Sequence, residues 1–215
     1  MAMTDTTKRK PQKSRMGLYA GLVAAAVLGA IAIDTTVVTI GSEQDARVQA
    51  FNPDRFGEAQ FPRIRDLVLE KAPDAVTLST AIKADKKGAV AEYGTPAGAF
   101  AVLPVKATGT VGEGKSGIYQ LTVDGLEGVK VRVQTGPAIN GTELRDIPGD
   151  IVFGDFKNQI EYQDAGAGLN RAMAADTLDG LDRDALPGKT ITVTGVFTLI
   201  SAKNWLITPV ALEVQ

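Results

Sequence analysis

The chain has 215 residues, 44% apolar and 22% charged, which fits one ordinary globular core plus an appendage and does not fit a disordered chain. A formal charge of -2 offers no overall attraction for phosphate backbones, so nucleic acid is not an expected partner. The absence of Cys and His excludes disulfides, Cys or His zinc sites, thiol nucleophiles and imidazole bases, leaving carboxylate, Lys, Tyr or Ser/Lys chemistry.

Residues 1-15 form a basic tail with Lys8, Arg9, Lys10, Lys13 and Arg15, and Met16 to Ile33 follow as eighteen residues without a charge. At about 1.5 Å per residue that run reaches roughly 27 Å, against a hydrocarbon core of about 30 Å. The basic flank precedes the run and Asp34 follows it. The positive-inside rule therefore predicts a cytoplasmic tail, a transmembrane anchor over 16-33 in the inner membrane, and export of the rest to the periplasm. Two alternatives compete: a cleaved signal segment, for which Ala30 and Ala32 offer an A-x-A-like site, and a buried helix of a soluble fold.

Residues 34-99 are expected to be a connector and a helical region. Thr35 to Ile40 is β-branched and extended in character. Beyond it Ile64, Leu67 and Val68 share one helical face, with Pro62 suiting the helix start and Pro73 its end. A second helix is expected from Asp74 as cap, with Val76, Ala81 and Ile82 inward and Lys83, Asp85, Lys86 and Lys87 in solvent.

Residues 100-215 change to period two. Val105, Ala107, Gly109 and Val111, then Tyr119, Leu121 and Val123, then Val129, Val131 and Val133 predict three half-buried strands joined by the glycine-bearing turns "GEGKSG" and "DGLEG". After an inserted segment, Ile191, Val193, Phe197 and Leu199 predict a fourth strand and "NWLITPVALEV" a fifth. In the fifth, Leu206, Val210, Leu212 and Val214 are placed on one face, and Pro209 implies an edge or a bulge. Three strands, a helix and two strands is the order of a five-stranded, partly open OB-like antiparallel β-barrel. The predicted class is α+β, with Gly109 and Gly195 at the bends that close the barrel.

The insertion "DFKNQIEYQDAGAGLNRAM" lies between the third and fourth strands. Pairs Phe156/Ile160 and Leu169/Met173, separated by a helix break at Gly166-Ala167-Gly168, suggest a plug for one end of the barrel. Its polar residues Asp155, Asn158, Gln159, Tyr162, Asn170 and Arg171 suit hydroxyl ligands; the plainer alternative is that Asn158 and Gln159 cap the helix and Arg171 pairs with a surface carboxylate. Asn158, Gln159 and Tyr162 together with Trp205 are the candidate ligand contacts.

No other motif carries chemistry. "DTLDGLDRD" offers Asp176, Asp179, Asp182 and Asp184 but departs from the EF-hand loop, and reads as a solvated acidic turn. Asn140-Gly141-Thr142 reads as a turn that formally matches a glycosylation acceptor, and Ser201 with Lys203 falls at a hairpin. No catalytic residue, metal or cofactor is assigned, and no enzymatic activity is expected.

The apolar N-terminus, "GDFKNQIEYQDAGAGLNRAM" and the ending "GKTITVTGVFTLISAKNWLITPVALEV" together resemble the predicted periplasmic lipoproteins of domain-of-unknown-function family 2291, over nearly everything after the anchor, with "FKNQIEY" the most specific element. The resemblance implies a non-enzymatic accessory of a sugar ABC importer, partnered by an importer component or its binding protein. A periplasmic small-molecule or oligosaccharide binding module is the alternative. The chain departs from the lipoprotein pattern in having no Cys to carry a lipid.

Overall fold

The computed structural model describes residues 16-34 and 51-215. The chain divides into two compact units, Met1-Ala50 and Phe51-Gln215. In the first, α1 runs from Met16 to Asp34. No helix among the described residues is long and apolar enough to cross a membrane. The spanning anchor thus stays an expectation of the sequence; the basic tail and the connector from Thr35 lie outside the described residues.

The second unit opens with three helices, α2 (Pro53-Lys71), α3 (Ala75-Ala84) and α4 (Lys86-Tyr93). Pro62 is not a helix start, because Asn52 caps α2 nine residues upstream of the expected point by accepting the Arg55 N-H, with Pro53 in the first turn. Pro in the first turn loses no hydrogen bond, whereas Pro62 is tolerated inside the helix. Asp74 caps α3 as expected, its carboxylate accepting from Val76 N at 2.8 Å. Asp85 then caps α4, a helix of only eight residues that the sequence reading did not separate.

Six strands follow, in a mixed α+β arrangement: β1 (Thr95-Ala97), β2 (Phe100-Lys115), β3 (Ile118-Thr122), β4 (Lys130-Gln134), β5 (Thr190-Thr198) and β6 (Asn204-Val214). Their order is β1-β2-β3-β4-β6-β5, and β2 also pairs with β5, so the five longer strands form a circuit of pairings. All pairs are antiparallel except β4 with β6. That parallel pair, and the short β1, separate the sheet from the purely antiparallel five strands expected. Gly109 and Gly195 do sit where neighbouring strands approach closely: a Cβ at Gly109 would meet the Thr122 carbonyl, and one at Gly195 the Thr208 carbonyl beside a register shift.

That shift, which opposes Gly195 to Pro209, changes which residues of β6 point inward. Trp205 and Ile207 are buried on one face and Val210 on the other, while Leu206 is half-buried, so the single face expected through Leu206 and Val210 does not exist.

Two clusters form the core. One combines Leu103, Val105, Val193, Phe197, Trp205 and Ile207 with Leu78 and Ile82 of α3. The other takes the alternate strand residues Val102, Val196 and Val210 and packs them against Phe61, Ile64 and Val68 of α2 and Leu169 and Met173 of α6 (Gln159-Thr177). The inserted helix therefore lies against the second strand face alongside α2, and does not plug the interior; α3 packs on the first cluster.

Gly166 and Gly168 do not break α6, which is continuous. A Cβ on Gly168 would strike the Pro53 carbonyl, and one on Gly57 the Gly168 carbonyl. Gly57 and Gly168 are the contact at which α2 and α6 meet backbone to backbone, which offsets the roughly 1 kcal/mol helix penalty of each, while Gly166 lies near Thr142.

Candidate functional site

The polar insertion organises a surface at the start of α6. A 3-10 turn at Phe153-Asp155 is held by Asp155, whose Oδ2 accepts from Val152 N at 3.0 Å. Asn158 then caps α6, its Oδ1 accepting from Ile160 N at 2.9 Å and Glu161 N at 3.0 Å. Glu161 closes the motif by accepting Lys157 N at 2.9 Å. Such reciprocal capping satisfies donors that a helix end leaves unpaired.

These caps fix a row of rings. Phe156 lies 5.4 Å from Phe51, 5.7 Å from Phe56 and 5.4 Å from Tyr162, and Phe153 lies 5.8 Å from Tyr162. Edge-to-face pairs of this spacing add about 0.5-1.5 kcal/mol each beyond burial. Beneath the row, the buried Arg145 guanidinium stacks 3.7 Å from the centre of the Tyr162 ring. Its Nη1 donates to the Tyr162 carbonyl at 3.0 Å, and its Nε and Nη2 both reach Asp146 Oδ1. Tyr162 is thus held from below by a charged plane whose own charge is balanced.

Large apolar side chains stay outward here among the exposed Asp155, Lys157 and Gln159: Phe153 of the ring row is 51% exposed, and Val152 and Ile160, close to it in sequence, are 50% and 69% exposed. Clustered apolar exposure on a rigid base is the signature of a surface that meets another molecule, while scattered exposure is not. Ile160, expected to pair with Phe156, points outward because Phe156 is occupied by Phe51, Phe56 and Tyr162.

The structure places three of the sequence-derived ligand contacts here and removes the fourth. Asn158 is committed to capping, Gln159 is exposed in the first helical turn, and Tyr162 is half-buried in the ring row. Trp205 is fully buried, stacked on Phe197 at 4.7 Å with its Nε1 donating to the Ala202 carbonyl. It has no exposed surface and packs in the first core cluster.

Asn170 and Arg171 face a separate cleft of about 360 Å³ between α6 and the 137-141 loop, with Asn140 and Gln163. Asn170 Nδ2 donates to the Gly141 carbonyl and Arg171 Nε to Asp54 Oδ1 at 2.6 Å, the surface pairing that was the plainer reading of Arg171. The Asn140-Gly141-Thr142 turn is tied to β4 by Gln134, which donates to the Asn140 carbonyl and accepts its N-H. In the acidic turn, Asp176 pairs with Arg65 at 3.1 Å and Asp182 accepts from Ala185 N. Among the described residues no group of carboxylates is arranged to hold a metal ion. Ser201 Oγ accepts from Lys203 N within the β5-β6 turn.

Reasoning from sequence passed over Phe153, Phe51, Phe56 and Arg145, and placed Ile160 in a packing pair with Phe156, whereas it is exposed. The signal was present in "IVFGDF", where apolar residues flank a Gly-Asp turn outside any alternating run and so have no sheet face to occupy.

The fold is similar to that of an OB-fold protein from Thermotoga maritima, with a TM-score of 0.63 and 18% identity, covering 77% of this chain and 99% of that one. No curated protein matches the chain. The profile of the family described as predicted periplasmic lipoprotein, domain of unknown function 2291, matches residues 22-213, and the chain belongs to that family.

Proposed function

We propose that this protein is a periplasmic, non-enzymatic accessory that docks a protein partner through the apolar front at the start of α6. The observation that carries the reading is the exposed set of Val152, Phe153 and Ile160 on a base fixed by helix caps and the Arg145-Tyr162 stack. Interface cores draw on aromatic and large apolar side chains presented rigidly, since ordering them on binding then costs little. Family membership supports the periplasmic location.

The partner proposed is a component of a sugar ABC importer or its binding protein. The uncharged run over 16-33 is proposed to hold the domain at the inner membrane, since the chain has no Cys for lipid attachment. Tethering both partners to one surface raises their effective concentration and lets a modest interface suffice. The absence of His and Cys supports a non-enzymatic role.

The test is co-purification from gently crosslinked membranes of wild type and of the double variant Phe153→Ser, Ile160→Ser. Wild type is expected to recover a stoichiometric partner and the variant to lose it while staying folded, its thermal stability lowered only by the lost Phe153-Tyr162 ring contact. Recovery of the same partner with both proteins would exclude this front as the interface.

The second reading, a binding module for a small hydroxylated molecule, is favoured by the amide-rich cleft of Asn140, Gln163 and Asn170. Amides both donate and accept, as sugar hydroxyls require, with Asn170 buried and Asn140 and Gln163 exposed at the rim.

A further inference from the structure

A groove that shares no residue with the docking front lies where α4, the β1-β2 turn and the end of β5 converge, with a volume of about 430 Å³. Its floor is Ala101 and Leu199, joined by the Leu199 N-H donating to the Ala101 carbonyl at 2.8 Å. Val90 forms one wall and Phe100, 47% exposed, the other. Large aromatic surface left half in water beside an apolar floor has no partner within the second unit.

The groove is apolar except at one end, where Lys86 and Lys87 line it. Both precede Val90 on the same helix, by four and three residues, so they share its face. No carboxylate lies within ion-pair distance of either ammonium among the described residues. The nearest acid in sequence, Asp85, is turned to its capping role: Oδ1 accepts the Lys87 N-H, and Oδ2 lies against Gly88. Lys83 adds a further exposed cation one turn earlier.

A concave, mostly apolar cavity with a few polar groups at one end is the usual form of a small-molecule site, and here those groups are two unpaired cations. We propose that this groove binds a free organic carboxylate with an aliphatic or aryl body, the body against Phe100, Val90 and Leu199 and the carboxylate between Lys86 and Lys87. Charge complementarity decides the class: a neutral apolar ligand leaves the ammonium pair unused, and a small inorganic anion leaves the apolar floor wet.

The probe is 4-phenylbutyrate, titrated calorimetrically into the full chain in phosphatidylcholine nanodiscs with empty nanodiscs as reference, and compared with 4-phenylbutanol. Saturable one-to-one binding is expected, at least tenfold tighter for the carboxylate than for the alcohol. The double variant Lys86→Gln, Lys87→Gln should bring the carboxylate to the affinity of the alcohol and leave the alcohol unchanged; Phe100→Ala should weaken both. Unfolding temperature is measured for each variant, so that lost binding is credited only to a folded protein. No saturable binding of 4-phenylbutyrate, equal affinity for acid and alcohol, or an acid affinity indifferent to the lysine substitutions would each overturn the proposal.

Discussion

Asn158 illustrates how one side chain can be read two ways from sequence. An amide beside a tyrosine suits a hydroxyl ligand, but the same amide is a preferred helix cap, and the structure spends Oδ1 on two backbone donors. Asn158→Ala is therefore expected to cost about 0.5-2 kcal/mol of stability, measured by urea unfolding, with the first turn of α6 loosened. A cost near zero would mean that the cap contributes nothing there. Trp205 makes the opposite point. Its rank as a candidate contact came from its chemistry, yet its position one residue into β6 puts it in the core against Phe197. As it is the only tryptophan, its fluorescence reports that site alone. Emission should be blue-shifted and resist iodide quenching in the native state; ready quenching would contradict its burial.

At the scale of elements, periodicity located the long strands and the Leu169-Met173 end of the inserted segment because each buries one face, and a period of two is written directly into the strand runs. What stayed illegible has a physical cause in each case. The three-residue β1 and the eight-residue α4 are too short to establish a period. Pro62 looked like a helix start because only local propensity was visible, while Asn52 and Pro53 supply a better one upstream. Gly166 and Gly168 looked like a break for the same reason, since the use of Gly168 becomes apparent only when Gly57 is brought against it from more than a hundred residues away. That contact predicts that Gly168→Ala, although it improves helix propensity, destabilises the unit by about 1-3 kcal/mol through overpacking against the Pro53 carbonyl. A stabilised Gly168→Ala variant in a urea series would show that α2 and α6 separate readily.

For the molecule as a whole, two clusters on opposite strand faces divide the work. The first cluster, with α3, holds the strand circuit together; the second mounts α2 and α6 on it and so carries the front. Of the candidate site, the sequence made the polar half visible, through Asn158, Gln159 and Tyr162, because polar residues clustered on a helix invite a binding reading. In the apolar half, Phe153 was passed over and Ile160 was read as packed on Phe156, because exposed and buried hydrophobes look alike until the partners of each ring are known. The central claim is that this front meets a protein. Its most direct test places a photo-crosslinking amino acid at Ile160 in intact cells, with the exposed Glu113 of the β2-β3 hairpin as control. A single discrete partner from Ile160 and none from Glu113 is the result the account predicts; no adduct at Ile160, or the same adducts from both positions, would contradict it.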